Sequence, residues 1–347
     1  MPVLKCLLAL CLLNQIMSAQ SEENAHRLFK RQSRGSGLKI TELSPWTLPR
    51  KNVKQGDINK VERFRLQAPG ITVEVASLDL IITSIKVPNQ NKTMSDIILG
   101  FDDIAGYLES PSFSGAFVSL SPKGMQSENK TPRNWRATKL DDALVFSLLQ
   151  GKKVLLNARF SLSKDELRVE MKGIVSEPTF LSIGLKNYFN LAGYETGLSG
   201  IEGHIVQING NEISEKNRGS TKYVALDGHE LDFRVPQSVE EVIYKDSLKY
   251  GRDFIVERSI SEFDRFVGRV SHADSRRFLE VYSNQPVLHF DLLGETDAEG
   301  KESTPMEKNG GFVVKMATLL DDKEISSVNP GQIYSQTLVY KFGVDQF

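Results

Sequence analysis

The chain has 347 residues, a formal net charge of −1 and ordinary globular proportions of apolar (40%) and charged (25%) residues. This near-neutral balance, with no long basic stripe, argues against nucleic acid as a partner. The length exceeds an average domain but suits one large all-β unit with its own core.

Residues 1–19 read as a secretory signal peptide. Lys5 supplies a small positive region, Cys6 to Leu13 is almost wholly apolar, and Ser18-Ala19 offers small residues for cleavage before Gln20. The apolar run falls far short of the ~20 residues that a membrane span needs. The expected location is therefore secreted and extracellular, with no membrane span. The chain's 2 cysteines, Cys6 and Cys11, both lie in this leader. The mature chain would then hold no disulfide and no thiol or zinc–thiolate site, and no metal or cofactor is expected.

Residues 20–57 read as a flexible N-terminal segment, polar and aperiodic through Arg34-Gly35-Ser36-Gly37. Its dibasic pair Lys30-Arg31 is either a processing site or two solvated charges. Leu28 stands where a furin-type site wants Arg, which favours the second.

From residue 58 to 347 strand follows strand. Ile71, Val73 and Val75 alternate with Thr72 and Glu74, and Leu167, Val169 and Met171 alternate with Arg168, Glu170 and Lys172. Phe278–Tyr282 and Thr337–Phe342 look the same. Pro69-Gly70, Asn209-Gly210 and Asp227-Gly228 mark turns, and Gln237 to Tyr244 could form a short helical turn. Many strands with few helices predict an all-β fold, a large antiparallel β-sandwich in one domain. Asn91-Lys92-Thr93 and Asn129-Lys130-Thr131 are glycosylation sequons, the second followed by Pro132.

The segment Lys186-Asn187-Tyr188-Phe189-Asn190-Leu191-Ala192-Gly193 resembles the active-site segment of the aldose 1-epimerases (galactose mutarotases), Asn-His-(Ser/Thr)-Tyr-Phe-Asn-Leu. Asp96–Leu108, Phe113–Ala116, Leu279–Pro286 and Asn329–Tyr334 are similar to further segments of that family, in the same order. The resemblance covers about residues 60–342. It implies the galactose mutarotase-like supersandwich, with a sugar cleft across one sheet.

Mutarotation opens a pyranose ring and recloses it, so a general base and a general acid must both reach the sugar. In the resemblance the acid position falls on Lys186 and the base position on Gln332. A carboxamide keeps the shape of Glu but takes up no proton at neutral pH. An ammonium, with an ordinary pKa near ~10.4, is poorly matched as the acid. The sugar-holding positions also differ. Ser119–Gly124 lacks both family arginines, the Leu-His-Gly-Gly stretch is missing, the family Asp aligns with Gly251, and a Glu-Thr-Gln becomes Lys315-Met316-Ala317. Asp253, two residues after Gly251, would share its strand face. Of the 5 histidines, His289 lies on a strand that should approach the cleft, with Asp291 on the same face.

The candidate ligand cleft is thus Lys186, Tyr188, Asp253, His289, Asp291 and Gln332, with no catalytic residue intact. Three readings stay open. The favoured one is a secreted, non-catalytic mutarotase-like protein whose cleft binds a carbohydrate or glycan. The others are an active aldose 1-epimerase with substituted residues, and an extracellular structural or interaction protein without a sugar site.

Overall fold

The computed structural model describes residues 37–49, 59–110, 113–120, 132–151, 153–217, 220–243, 251–257, 260–317 and 327–346. The expected signal peptide at residues 1–19, the Lys30-Arg31 pair and Asn129 lie outside the described residues.

In chain order the elements begin with β1 (Lys39–Thr47), β2 (Lys60–Ala68), β3 (Ile71–Ala76), β4 (Ile82–Pro88), β5 (Met94–Asp96) and helix α1 (Ile104–Glu109). Then come β6 (Gly115–Ser119), β7 (Arg136–Lys139), β8 (Leu144–Gln150), β9 (Val154–Ser163), β10 (Glu166–Val175) and β11 (Ser182–Phe189). Helix α2 (Gly197–Ile201) leads to β12 (His204–Ile208), β13 (Glu212–Asn217), β14 (Ser220–Ala225), β15 (Gln237–Ser238) and helix α3 (Val239–Ile243). The chain closes with β16 (Arg252–Ile255), β17 (Arg265–His272), β18 (Arg277–Ser283), β19 (Val287–Leu292), β20 (Phe312–Ala317) and β21 (Tyr334–Val344).

These strands form antiparallel sheets. A nine-stranded sheet runs β15-β12-β17-β18-β21-β10-β9-β8-β7, and a seven-stranded sheet runs β14-β13-β16-β19-β20-β11-β6. The two pack face to face. Tyr340 of β21 lies with its ring centroid 5.3 Å from Phe189 of β11, and its hydroxyl donates to the Val314 carbonyl at 3.5 Å. A five-stranded sheet, β1 through β5 in order, adds Phe64, Leu66, Val73 and Ile85 to the same buried core. The period-2 pattern explains the layering. In β10, Leu167, Val169 and Met171 are buried while Arg168 and Glu170 face outward.

One sequence expectation needs correction. The segment 20–57 was expected to be flexible throughout, yet Lys39–Thr47 is a strand paired in register with β2. The cause is that β1 is held by its backbone. None of its residues is buried, so it shows no apolar alternation. Pro45 sits at the irregularity between Leu43 and Trp46, and a residue without an N–H is tolerated at just such an edge.

Candidate functional site

Strand alternation divides the segment first singled out. Asn187 and Phe189 turn into the core, where Asn187 is fully buried and Phe189 stacks on Phe312 at 5.7 Å. Lys186 and Tyr188 turn to the opposite face of the seven-stranded sheet. The rest of the segment is structural. The Asn190 side-chain amide donates to the carbonyls of Gly197 and Gly310 at 3.0 and 3.1 Å, and its oxygen accepts from Ala192 N. Leu191 N donates to His204 Nε2 at 2.9 Å. Arg277, only 1% exposed, gathers the carbonyls of Val87, Thr93, Leu191 and Ala192 and the Ser95 hydroxyl.

Register then assembles the site. Tyr188 pairs with Val313, and Val313 with Asp291. Two residues along, Lys315, His289 and Asp253 pair side by side across β20, β19 and β16, and Lys186 stands on β11 one residue past its last pair with β20, Asn187 with Val314. Ser214 of β13 follows beyond Asp253. Five of the six residues expected in the cleft therefore share one sheet face.

The contacts within this strip are specific. His289 Nδ1 donates to Asp253 Oδ1 at 2.7 Å, which leaves Nε2 of a neutral ring as an acceptor. The Ser214 hydroxyl donates to the other Asp253 oxygen at 3.3 Å. Burial holds the Asp291 carboxyl above its ordinary range, opposed by the charges of His289, Lys186 and Arg252 and by the Leu292 N–H. Gly251 adopts φ +67°, and a Cβ there would fall 2.7 Å from Asp291 Cγ. The Asp291 carboxylate thus occupies the space into which a side chain at position 251 would grow.

An aromatic wall closes one end. Tyr188 stacks on Phe113 with centroids 4.9 Å apart, and Phe113 meets Phe101 at 5.3 Å. Burial raises the pKa of the Tyr188 hydroxyl. Phe101 is fixed in turn by α1. Asp103 caps the helix by accepting from Ala105 N and Gly106 N, and Phe101 lies where a Cβ on Gly106 would be. The Lys186 ammonium stands 4.8 Å from the Tyr188 ring centroid.

Among the described residues, Gln332 makes no hydrogen bond to the strip. It lies exposed in the turn before β21, and its amide oxygen accepts from Asn329 N at 2.8 Å. Gly331 beside it takes φ +89°, a turn conformation that glycine adopts without strain. Three residues outside the set expected from sequence adjoin this strip: Lys315 paired with His289, Ser214 bonded to Asp253, and Phe113 stacked on Tyr188. Lys315 carried a signal, as the single charge in the otherwise apolar run Phe312–Ala317. Asn91 sits exposed in the turn between β4 and β5. Among the described residues, no group of three or more His, Cys, Asp or Glu is placed to hold a metal ion, and no helix is long and apolar enough to cross a membrane.

The architecture and its half-buried polar face define a galactose mutarotase-like β-sandwich. The model of the Aldose 1-epimerase family matches residues 130–341. The chain is 25% identical to galactose mutarotase of Bos taurus and 24% identical to that of Homo sapiens, in each case over 82% of this chain and 94% of the relative. Its fold is similar to that of the aldose epimerase homologue from C. elegans, with TM-score 0.67 and 17% identity over 80% of this chain and 97% of the other. It is also similar to that of galactose 1-epimerase from Lactobacillus acidophilus, with TM-score 0.66 and 14% identity over 89% and 100%. The chain belongs to the aldose 1-epimerase family.

Proposed function

We propose that this is a secreted, non-catalytic galactose mutarotase-like protein that binds carbohydrate on the strip Lys186–Lys315–His289–Asp253. One observation carries the reading. The two positions that correspond to the family's acid and base hold an ammonium and a carboxamide, groups unsuited to proton transfer at neutral pH. Lys186 lies against Tyr188, whereas the amide oxygen of Gln332 is taken up within its own exposed turn. Ring opening needs both groups within hydrogen-bond reach of one sugar. What the face retains suits binding, with an aromatic wall, a histidine oriented by a carboxylate, and donors and acceptors in a row. The leader at residues 1–19 and the exposed sequon at Asn91 support a secretory route.

A polarimetric assay of α-galactose and α-glucose tests the first claim, with conversion at the buffer rate as the expected result. One observation favours a second reading, that of an active epimerase. His289 and Asp253 form a hydrogen-bonded pair on the face that Asp291 also shares, an arrangement that could supply acid and base from new positions. Conversion well above background that disappears in His289→Gln would establish that reading and overturn the first.

A further inference from the structure

This inference rests on the carbohydrate reading of the sheet face and concerns the chemical class of sugar. Charge is laid out unevenly along the strip. Lys186 and Lys315 occupy its β11–β20 end, and Asp253, bound to His289 and Ser214, its β16 end. Asp291 lies in the adjoining row with Lys186 and Arg252 near it. Three permanent cations thus stand with two carboxylates.

The two lysines stand on the adjacent strands β11 and β20, and like charges close together across a sheet weaken it. Each ammonium meets a different aromatic ring. Lys186 Nζ stands 4.8 Å from the Tyr188 ring centroid. The Lys315 stem passes over Gly184, with its Cγ 3.6 Å from where a Cβ would lie, and its Nζ stands 5.6 Å from the Phe117 ring centroid. Each ammonium is steered by a ring face, which favours a cation partly removed from water. Both side chains are only partly exposed, so an anion placed between them would be screened less than at an open surface.

We propose that the face binds a saccharide carrying an anionic group, whether carboxylate, sulfate or phosphate. The anion lies between Lys186 and Lys315, and sugar hydroxyls reach His289, Asp253 and Ser214. Lys186 to Asp253 covers three inter-strand steps, about 14 Å, which suits the charged end of a glycan better than a single neutral ring. The lysines act as point charges and so accept any of the three anions.

Calorimetric titration of the full mature chain tests this, with galactose, galacturonate, galactose 6-sulfate and galactose 6-phosphate as probes and inorganic phosphate and sulfate as controls. The expected result is that at least one acidic sugar binds about tenfold or more tighter than galactose, the gain of one charge-assisted contact. The preference shrinks as salt rises, and the affinity ratio falls towards one in Lys186→Gln and in Lys315→Gln. Thermal midpoints of both variants, each at a partly exposed position, confirm that they fold. Galactose binding as tightly as every acidic sugar overturns the inference and leaves the carbohydrate reading standing. Inorganic anions binding as tightly as the acidic sugars overturn it in favour of a plain anion site. Binding of no sugar at all overturns both.

Discussion

At the scale of single residues, the segment Lys186–Gly193 owes its form to groups far away in the chain. Arg277 is the clearest case. Its guanidinium serves four backbone carbonyls and one hydroxyl in the buried layer under Leu191 and Ala192, and burial lowers its pKa. Replacing it with Met removes every one of these donors; Leu191 O keeps Ser275 Oγ and Thr93 O keeps Asn89 N, whereas the Val87 and Ala192 carbonyls lose the guanidinium. Each orphaned buried acceptor costs about 1–3 kcal/mol, so two of them set the expected loss at about 2 kcal/mol or more. Urea unfolding of Arg277→Met measures this, and a loss under about 1 kcal/mol would contradict the role. Nothing in the sequence marks this arginine, since Arg276-Arg277 before a strand reads as two solvated charges. The same limit applies to Gln332 and Lys315. Their types were legible, but only the fold shows that Lys315 stands in the row of His289 and Asp253 while the Gln332 amide oxygen is engaged by Asn329 in its own turn.

At the scale of elements, legibility follows burial. Strands with one dry and one wet face announce themselves, as β3 and β10 do. So does the helical turn that α3 forms after β15. β1 does not, because its contribution is a backbone ladder to β2 and a few large side chains near its end. Trp46 meets Tyr107 at 5.9 Å and lies under the Arg63 guanidinium at 4.3 Å, and Leu48 just beyond is 7% exposed. A chain that starts at Lys60 should therefore lose about 2 kcal/mol or more relative to one that starts at Leu38, the worth of one or two buried apolar side chains. It should also aggregate, because β2 becomes an open edge. Equal unfolding midpoints and equal light scattering in the two chains would show that β1 is dispensable.

At the scale of the whole molecule, two buried imidazoles couple stability to pH. His204 and His272 face each other with centroids 4.8 Å apart, where the seven-stranded sheet meets the nine-stranded one through Phe312. Burial, and then the charge of His272, lowers the His204 pKa from 6.5 to about 3. Its Nε2 accepts from Leu191 N and its Nδ1 lies against the Gly200 and Ile201 carbonyls, so the neutral ring is the one that fits. His272 is lowered as well, by burial first and by Arg277, against the pull of Asp274. The unfolded chain takes up protons below pH 6.5 that the folded chain refuses, so stability is whole above that pH and declines as pH falls towards 3. For His204 alone the loss on reaching pH 5 is about 2 kcal/mol. Asp291, held above the ordinary carboxyl range, works in the opposite direction just above its ordinary pKa and offsets part of the slope. Urea unfolding at pH 7.5 and pH 5 should show the decline in the intact chain. It should flatten in His204→Gln, which can donate and accept but takes up no proton. A profile level between the two pH values, or one equally steep in the variant, would place the acid sensitivity elsewhere than in this pair.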